Sequence, residues 1–102
     1  MLFRSNALSL NRVFVITTRA SASASELLIN SLRPFMPVIQ IGDRTYGKPV
    51  GQYSFTFCQK VLVPVSFTLR NANREGDFFN GLTPTCVASD DLERPLGDEL
   101  EA

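Results

Sequence analysis

An α/β fold is what this sequence predicts, on three observations. A continuous β-branched run, "RVFVITT" (12–18), stands before a helix-start signature. A second apolar run, "PVIQIG" (37–42), follows that helix, and strand, helix and strand at this spacing make a crossover unit. Beyond it, "QYSFTFC" (52–58) alternates strictly and faces "KVLVPVSFTLRN" (60–71) across a short break, as a hairpin does.

Each element has a local reason. The first run lacks polar alternation, so it predicts a strand buried on both faces. Ser23-x-x-Glu26 matches a capping box, and Ala24, Leu27, Leu28 and Leu32 supply the apolar stripe of the helix that it opens. Pro34 and Pro37 end the helix, because proline lacks an amide hydrogen and clashes with the preceding turn. Gly42, Asp43, Gly47, Pro49 and Gly51 then break the chain into a loop. In the hairpin, Tyr53, Phe55 and Phe57 share one side, the turn falls near Gln59-Lys60, and Pro64 marks an edge or a bulge. The remainder is rich in Gly, Pro and Asp, with no helix expected before the final residues.

Composition narrows the class. The 102 residues, 44% hydrophobic and 20% charged, fit one small globular domain. Residues 1–74 hold nine Lys/Arg against Glu26 and Asp43, while residues 75–102 hold Arg94 against eight acids. The basic residues are spaced singly, which reads as solvated surface, so no nucleic-acid partner is expected. No apolar run approaches the ~18–20 residues of a membrane span, and no secretory signal is visible. Residues 1–25 lack acids and carry Arg and Ser, as a mitochondrial transit peptide does, yet "RVFVITT" has a strand pattern that such a peptide would not need. Cys58 and Cys86 form no CxxC pair and no histidine is present, so neither a metal nor a cofactor is expected. The two thiols would form one disulfide in an exported protein and stay reduced in a cytosolic one.

The absence of histidine also removes Ser-His-Asp and Cys-His catalysis. A serine nucleophile would need lysine as its base, which a desolvated ammonium permits. Lys60 falls at the hairpin tip, in solvent, whereas Lys48 sits between glycines in "DRTYGKPVGQ" just after the second strand. Ser21, Ser23 and Ser25 all lie at the strand-to-helix junction, where free helix amides can bind a developing oxyanion. Chemistry alone does not choose among them, and Ser23 also serves as a plain N-cap.

The stretch "SASASELL…IGDRTYGKPVGQ" resembles the C-terminal processing, or tail-specific, serine peptidases. The matching segments are Ser23-Ala24-Ser25-Glu26 and Thr45-Tyr46-Gly47-Lys48, with Lys48 twenty-five positions after Ser23 and Gln52 four after Lys48. By that resemblance Ser23 is the nucleophile, Lys48 its base, Gln52 the residue that orients the lysine, and the Ala24 amide an oxyanion donor. Glu26 is expected to close the capping box rather than to act in chemistry. Arg44 and Tyr46 either line the cleft or serve the loop. The closing segment "GDFFNGLTPTCVASDDLERPLGDELEA" is similar to that of a bacterial branch of the family, so the likeness runs over residues 8–102.

The resemblance implies a serine endopeptidase that cuts protein or peptide substrates near their C-termini. The implied fold is part of a crotonase-like core, with residues 1–102 as its C-terminal portion and the upstream core and PDZ domain absent. Association with that upstream part or with other protomers is expected, and so is a periplasmic, cell-envelope or extracellular location. The upstream glycine that supplies a second oxyanion donor in the family is missing, as is an aspartate that some relatives carry near Pro34. A non-catalytic, truncated paralogue that binds other proteins is the alternative.

Overall fold

The computed structural model describes residues 8–89, 93–95 and 98. The final residues, where the sequence allows a helix, lie largely outside the described ones. In chain order the elements are β1 (Val13–Thr17), α1 (Ala24–Leu32), β2 (Val38–Gly42), β3 (Val50–Gln52), β4 (Phe55–Phe57), β5 (Lys60–Leu62), β6 (Val65–Thr68) and β7 (Cys86–Val87). The architecture is mixed α/β, with one parallel sheet and one protruding antiparallel arm.

The sheet has the order β1-β2-β7. β1 and β2 run parallel in register from Val13↔Val38 to Thr17↔Gly42. A parallel pair needs a crossover, and α1 supplies it. Buried Thr17, Gln40 and Gly42 mark the face beneath the helix, where Arg33 of α1 reaches Gln40 Oε1 at 3.4 Å. The opposite face is bare, with Phe14 57% and Ile16 82% exposed. The expectation of a strand buried on both faces is therefore corrected: within this chain α1 covers one side only.

The buried face of α1 also differs from the predicted stripe. Glu26, Ile29 and Asn30 are buried, whereas Ala24 and Leu28 are exposed. Polar atoms can occupy that face because each has a partner. Asn30 Nδ2 donates to the Glu75 carbonyl at 3.0 Å, and Asn71 Nδ2 donates to Asn30 Oδ1 at 3.3 Å. Among the described residues no buried side-chain nitrogen or oxygen lacks a hydrogen bond.

β7 has no counterpart in the sequence reading. It is two residues long and is set by Gln40, whose carbonyl accepts from Thr85 N–H at 2.7 Å. The Gln40 amide donates to the Thr85 hydroxyl at 3.2 Å, and its side chain donates to the Leu82 carbonyl at 3.0 Å. These bonds lay residues 80–87 beside β2, next to the loop that follows it.

The hairpin forms as predicted. β4 pairs with β5 (Phe55↔Leu62, Phe57↔Lys60) and β3 with β6 (Val50↔Thr68). The register shifts between Gly51 and Gln52, and the Ser66 hydroxyl fills the gap by accepting from Tyr53 N–H and donating to the Pro64 carbonyl. Cys58 and Cys86 are free and exposed. Among the described residues no helix is long and apolar enough to cross a membrane.

Candidate active site

The three serines of the β1–α1 junction part company in the structure. Ser21 is used by the turn itself: its Oγ accepts from Thr18 N–H at 3.0 Å, and its own amide returns to the Thr18 carbonyl at 3.0 Å. Ser25 lies inside the first helical turn and is exposed. Ser23 is the N-cap, with φ 54° and ψ −108°. A non-glycine residue in that region is strained. The Ser23 hydroxyl stands in a capping-box arrangement with Glu26 but makes no cap hydrogen bond of good geometry. Beside it, Ala24 N–H has no partner among the described residues, as expected for the first amide of a helix.

Lys48 is placed by a turn that only glycine permits at its preceding position. Gly47 has φ 98°, and a Cβ there would strike the Phe79 carbonyl. Lys48 is half-buried, and its Nζ donates to Gln52 Oε1 at 3.3 Å. Gln52 is fixed in turn, because its Nε2 donates at 3.0 Å to the carbonyl of Val63, between β5 and β6. The side chains of Lys48 and Gln52 are thus brought together. Ser23 and Lys48 share no side-chain hydrogen bond; catalytic contacts often tighten only when substrate binds.

What joins their backbones is Glu26. Its Oε2 accepts from Ser23 N–H at 2.9 Å and from Lys48 N–H at 2.8 Å. Its Oε1 accepts from Gly47 N–H at 2.6 Å and from the Thr45 hydroxyl at 2.5 Å. Thr45 Oγ1 also accepts from Leu82 N–H at 2.7 Å, which carries the network to the 80–85 segment. Glu26 is 0% exposed. Burial alone would raise its pKa, yet the bonds from Thr45, Lys48, Gly47 and Ser23 outweigh that and hold it below the ordinary carboxylate value. The expectation for Glu26 was a capping box; the structure adds a clamp between two loops.

Thr45 and the wider reach of Glu26 were not foreseen from the sequence. The signal that would have found them is the crowding of donors in Thr45-Tyr46-Gly47-Lys48, which needs an acceptor once buried. Arg44 and Tyr46 lie on the other side of the same turn. Tyr46 N–H donates to the Ser21 carbonyl at 2.9 Å, tying the turn to the β1–α1 junction. Among the described residues no group of acids and thiols is placed to hold a metal ion.

Comparison with known proteins places these elements in a family. No curated protein sequence matches the chain. A crystal structure from Bacteroides fragilis NCTC 9343, assigned to the S41 proteases, superposes with a TM-score of 0.77 at 32% identity. The match covers 86% of this chain and 24% of that one, so the chain spans about a quarter of its solved relative. The model of peptidase family S41 matches residues 4–88, a span that holds both loops joined by Glu26. The chain belongs to peptidase family S41.

Proposed function

We propose that this chain carries the nucleophile and base of a serine endopeptidase. The reading rests most heavily on one observation: Ser23 stands at a strained strand-to-helix turn at the start of α1, with the Ala24 amide free beside it. Ser23 Oγ attacks the substrate carbonyl carbon while its proton passes to the Lys48 amine, which acts as the base. The oxyanion faces Ala24 N–H, the tetrahedral intermediate collapses, and the leaving amine takes the proton from Lys48. Water then attacks the acyl-enzyme and gives its proton to Lys48; the second tetrahedral intermediate collapses, the bond to Ser23 Oγ breaks, and Lys48 returns the proton to that oxygen as the acid product leaves. Gln52 Oε1 holds the lysine nitrogen in line throughout, and no metal or cofactor enters.

By the same reading, residues 1–102 form the C-terminal portion of a crotonase-like core. The rest of the oxyanion hole and any PDZ domain come from sequence outside this chain. Substrates are protein chains cut near their C-termini, met in the periplasm, the cell envelope or outside the cell. The test is hydrolysis of internally quenched peptides by this chain joined to the upstream part of the core. Ser23→Ala and Lys48→Ala should each lower kcat by about a thousandfold or more, and undiminished turnover by either variant would contradict the assignment.

The bare face of the sheet favours a second reading, a non-catalytic paralogue that binds other protein chains through Phe14, Ile16 and the arm. Hydrolysis that vanishes in Ser23→Ala decides against it. Peptide binding without any hydrolysis, with the upstream part of the core supplied, decides for it.

A further inference from the structure

Arg19 stands four residues before Ser23, and Arg44 stands four before Lys48. Both line a shallow, solvent-open cavity of about 220 Å³, together with Thr45, Tyr46 and Asn80. The cavity lies between the two loops that carry the proposed nucleophile and base, and those loops are stitched together around it. Tyr46 N–H donates to the Ser21 carbonyl and Asp43 N–H to the Thr17 carbonyl, both at 2.9 Å. Its inner wall is Thr45, buried and held by Glu26 and Leu82. Gly81, at φ 81°, lets the third strand of chain close against that wall. A Cβ there would strike the Thr45 carbonyl and crowd Arg44 Cγ.

The charge at this cavity is unbalanced. Arg19 Nε is taken by Asp43 Oδ2 at 2.7 Å, which leaves its terminal nitrogens free of that bond. Asp43 also accepts from Arg44 N–H at 2.6 Å; with Arg19, that bond keeps the carboxyl below its ordinary pKa and anionic. The Arg44 guanidinium itself has no ion-pair partner among the described residues. Two guanidiniums thus meet one carboxylate, with Tyr46 and Asn80 as the other polar residues of the lining. A planar fork of donors in that setting suits a carboxylate.

We propose that this cavity is a subsite for an acidic side chain of the peptide substrate, with Arg44 as the residue that determines the preference. The inference rests on the peptidase reading for the source of its ligand. An Asp or Glu near the cleaved bond would place its carboxylate against Arg44 while the backbone passes Ser23. Arg19, steered by Asp43, frames the other side.

The test uses the full chain carrying Ser23→Ala, titrated with short amidated peptides that differ only by a Glu-for-Gln exchange and followed by NMR amide shifts. A third peptide carries Gln and a free C-terminal carboxylate. At low salt the Glu peptide should bind about fivefold more tightly than its Gln twin and shift the amides of Arg44, Tyr46 and Asn80. Arg44→Gln should remove the difference, added salt should shrink it, and Lys60→Gln at the hairpin tip should leave it intact. Equal binding of the Glu and Gln peptides would overturn the subsite, as would a difference that survives Arg44→Gln. A free C-terminal carboxylate that substitutes fully for the Glu side chain would overturn its assignment to a side chain. Selective Glu binding with no turnover by the Ser23-containing chain joined to the upstream core would defeat the peptidase reading alone; turnover without Glu selectivity would defeat the subsite alone.

Discussion

Glu26 is a carboxylate shut off from water and answered by four donors, two of them the amides of Ser23 and Lys48. A glutamine of the same shape keeps one acceptor oxygen and sets an NH₂ against two donors. Glu26→Gln should therefore lower the unfolding free energy by about 2–4 kcal/mol in urea titration. The pH dependence has a definite sign. Because the folded-state pKa of Glu26 lies below its unfolded value, the unfolded chain binds the proton more tightly. The stability that Glu26 contributes is complete above its ordinary pKa of 4.5 and is lost as the pH falls through the lower folded-state value. Denaturation midpoints measured down the acid range should drop for the wild type, and Glu26→Gln should lack that part of the slope. Parallel slopes in the two proteins would mean that Glu26 is not the titrating group. Ser23 offers a backbone test at the same scale. Its φ of 54° suits glycine, so Ser23→Gly should be more stable than Ser23→Ala by about 1 kcal/mol.

At the scale of elements, the turn before Lys48 and the arm after it set the positions of the lysine and Gln52. Gly47→Ala forces a Cβ onto the Phe79 carbonyl at a left-handed position. It should cost about 2 kcal/mol or more of stability and slow turnover by displacing Lys48. Gln52→Ala should leave the fold intact, lower kcat about tenfold and change KM little, because Gln52 holds the lysine rather than the substrate. A rise in KM with kcat unchanged would assign Gln52 to substrate binding instead. Much of this was legible in the residues. Alternation predicted the arm, and Pro64 predicted the irregularity that Ser66 now fills. The buried face of α1 was not legible, because periodicity counts apolar side chains and cannot see that Glu26 and Asn30 are satisfied by loops distant in sequence. β7 escaped for a similar reason: its two residues are held by bonds to Gln40, not by a pattern of their own.

Across the whole molecule, few hydrophobic side chains are deeply buried. Ile29 and Leu82 are the buried hydrophobic residues among those described, while Phe14, Ile16 and the aromatic residues of the arm face outward. Parallel sheets are ordinarily covered on both faces, so the bare side of β1 and β2 contributes little to stability in this chain. Phe14→Asp should change the unfolding free energy by less than about 0.5 kcal/mol and reduce the binding of a hydrophobic dye. A loss above about 2 kcal/mol would show that face to be covered. The choice of Ser23 over Ser21 and Ser25 rests on resemblance at the sequence level; the backbone is consistent with it, since Ser21 is committed to a turn and Ser23 sits at a left-handed position at the start of α1. The central claim, that Ser23 is a nucleophile served by Lys48, is met most directly by a fluorophosphonate probe with the adduct mapped by mass spectrometry. The account predicts label on Ser23, none in Ser23→Ala, and at least about a hundredfold slower labelling in Lys48→Ala. Label on another residue, or Lys48→Ala reacting as fast as the wild type, would contradict it.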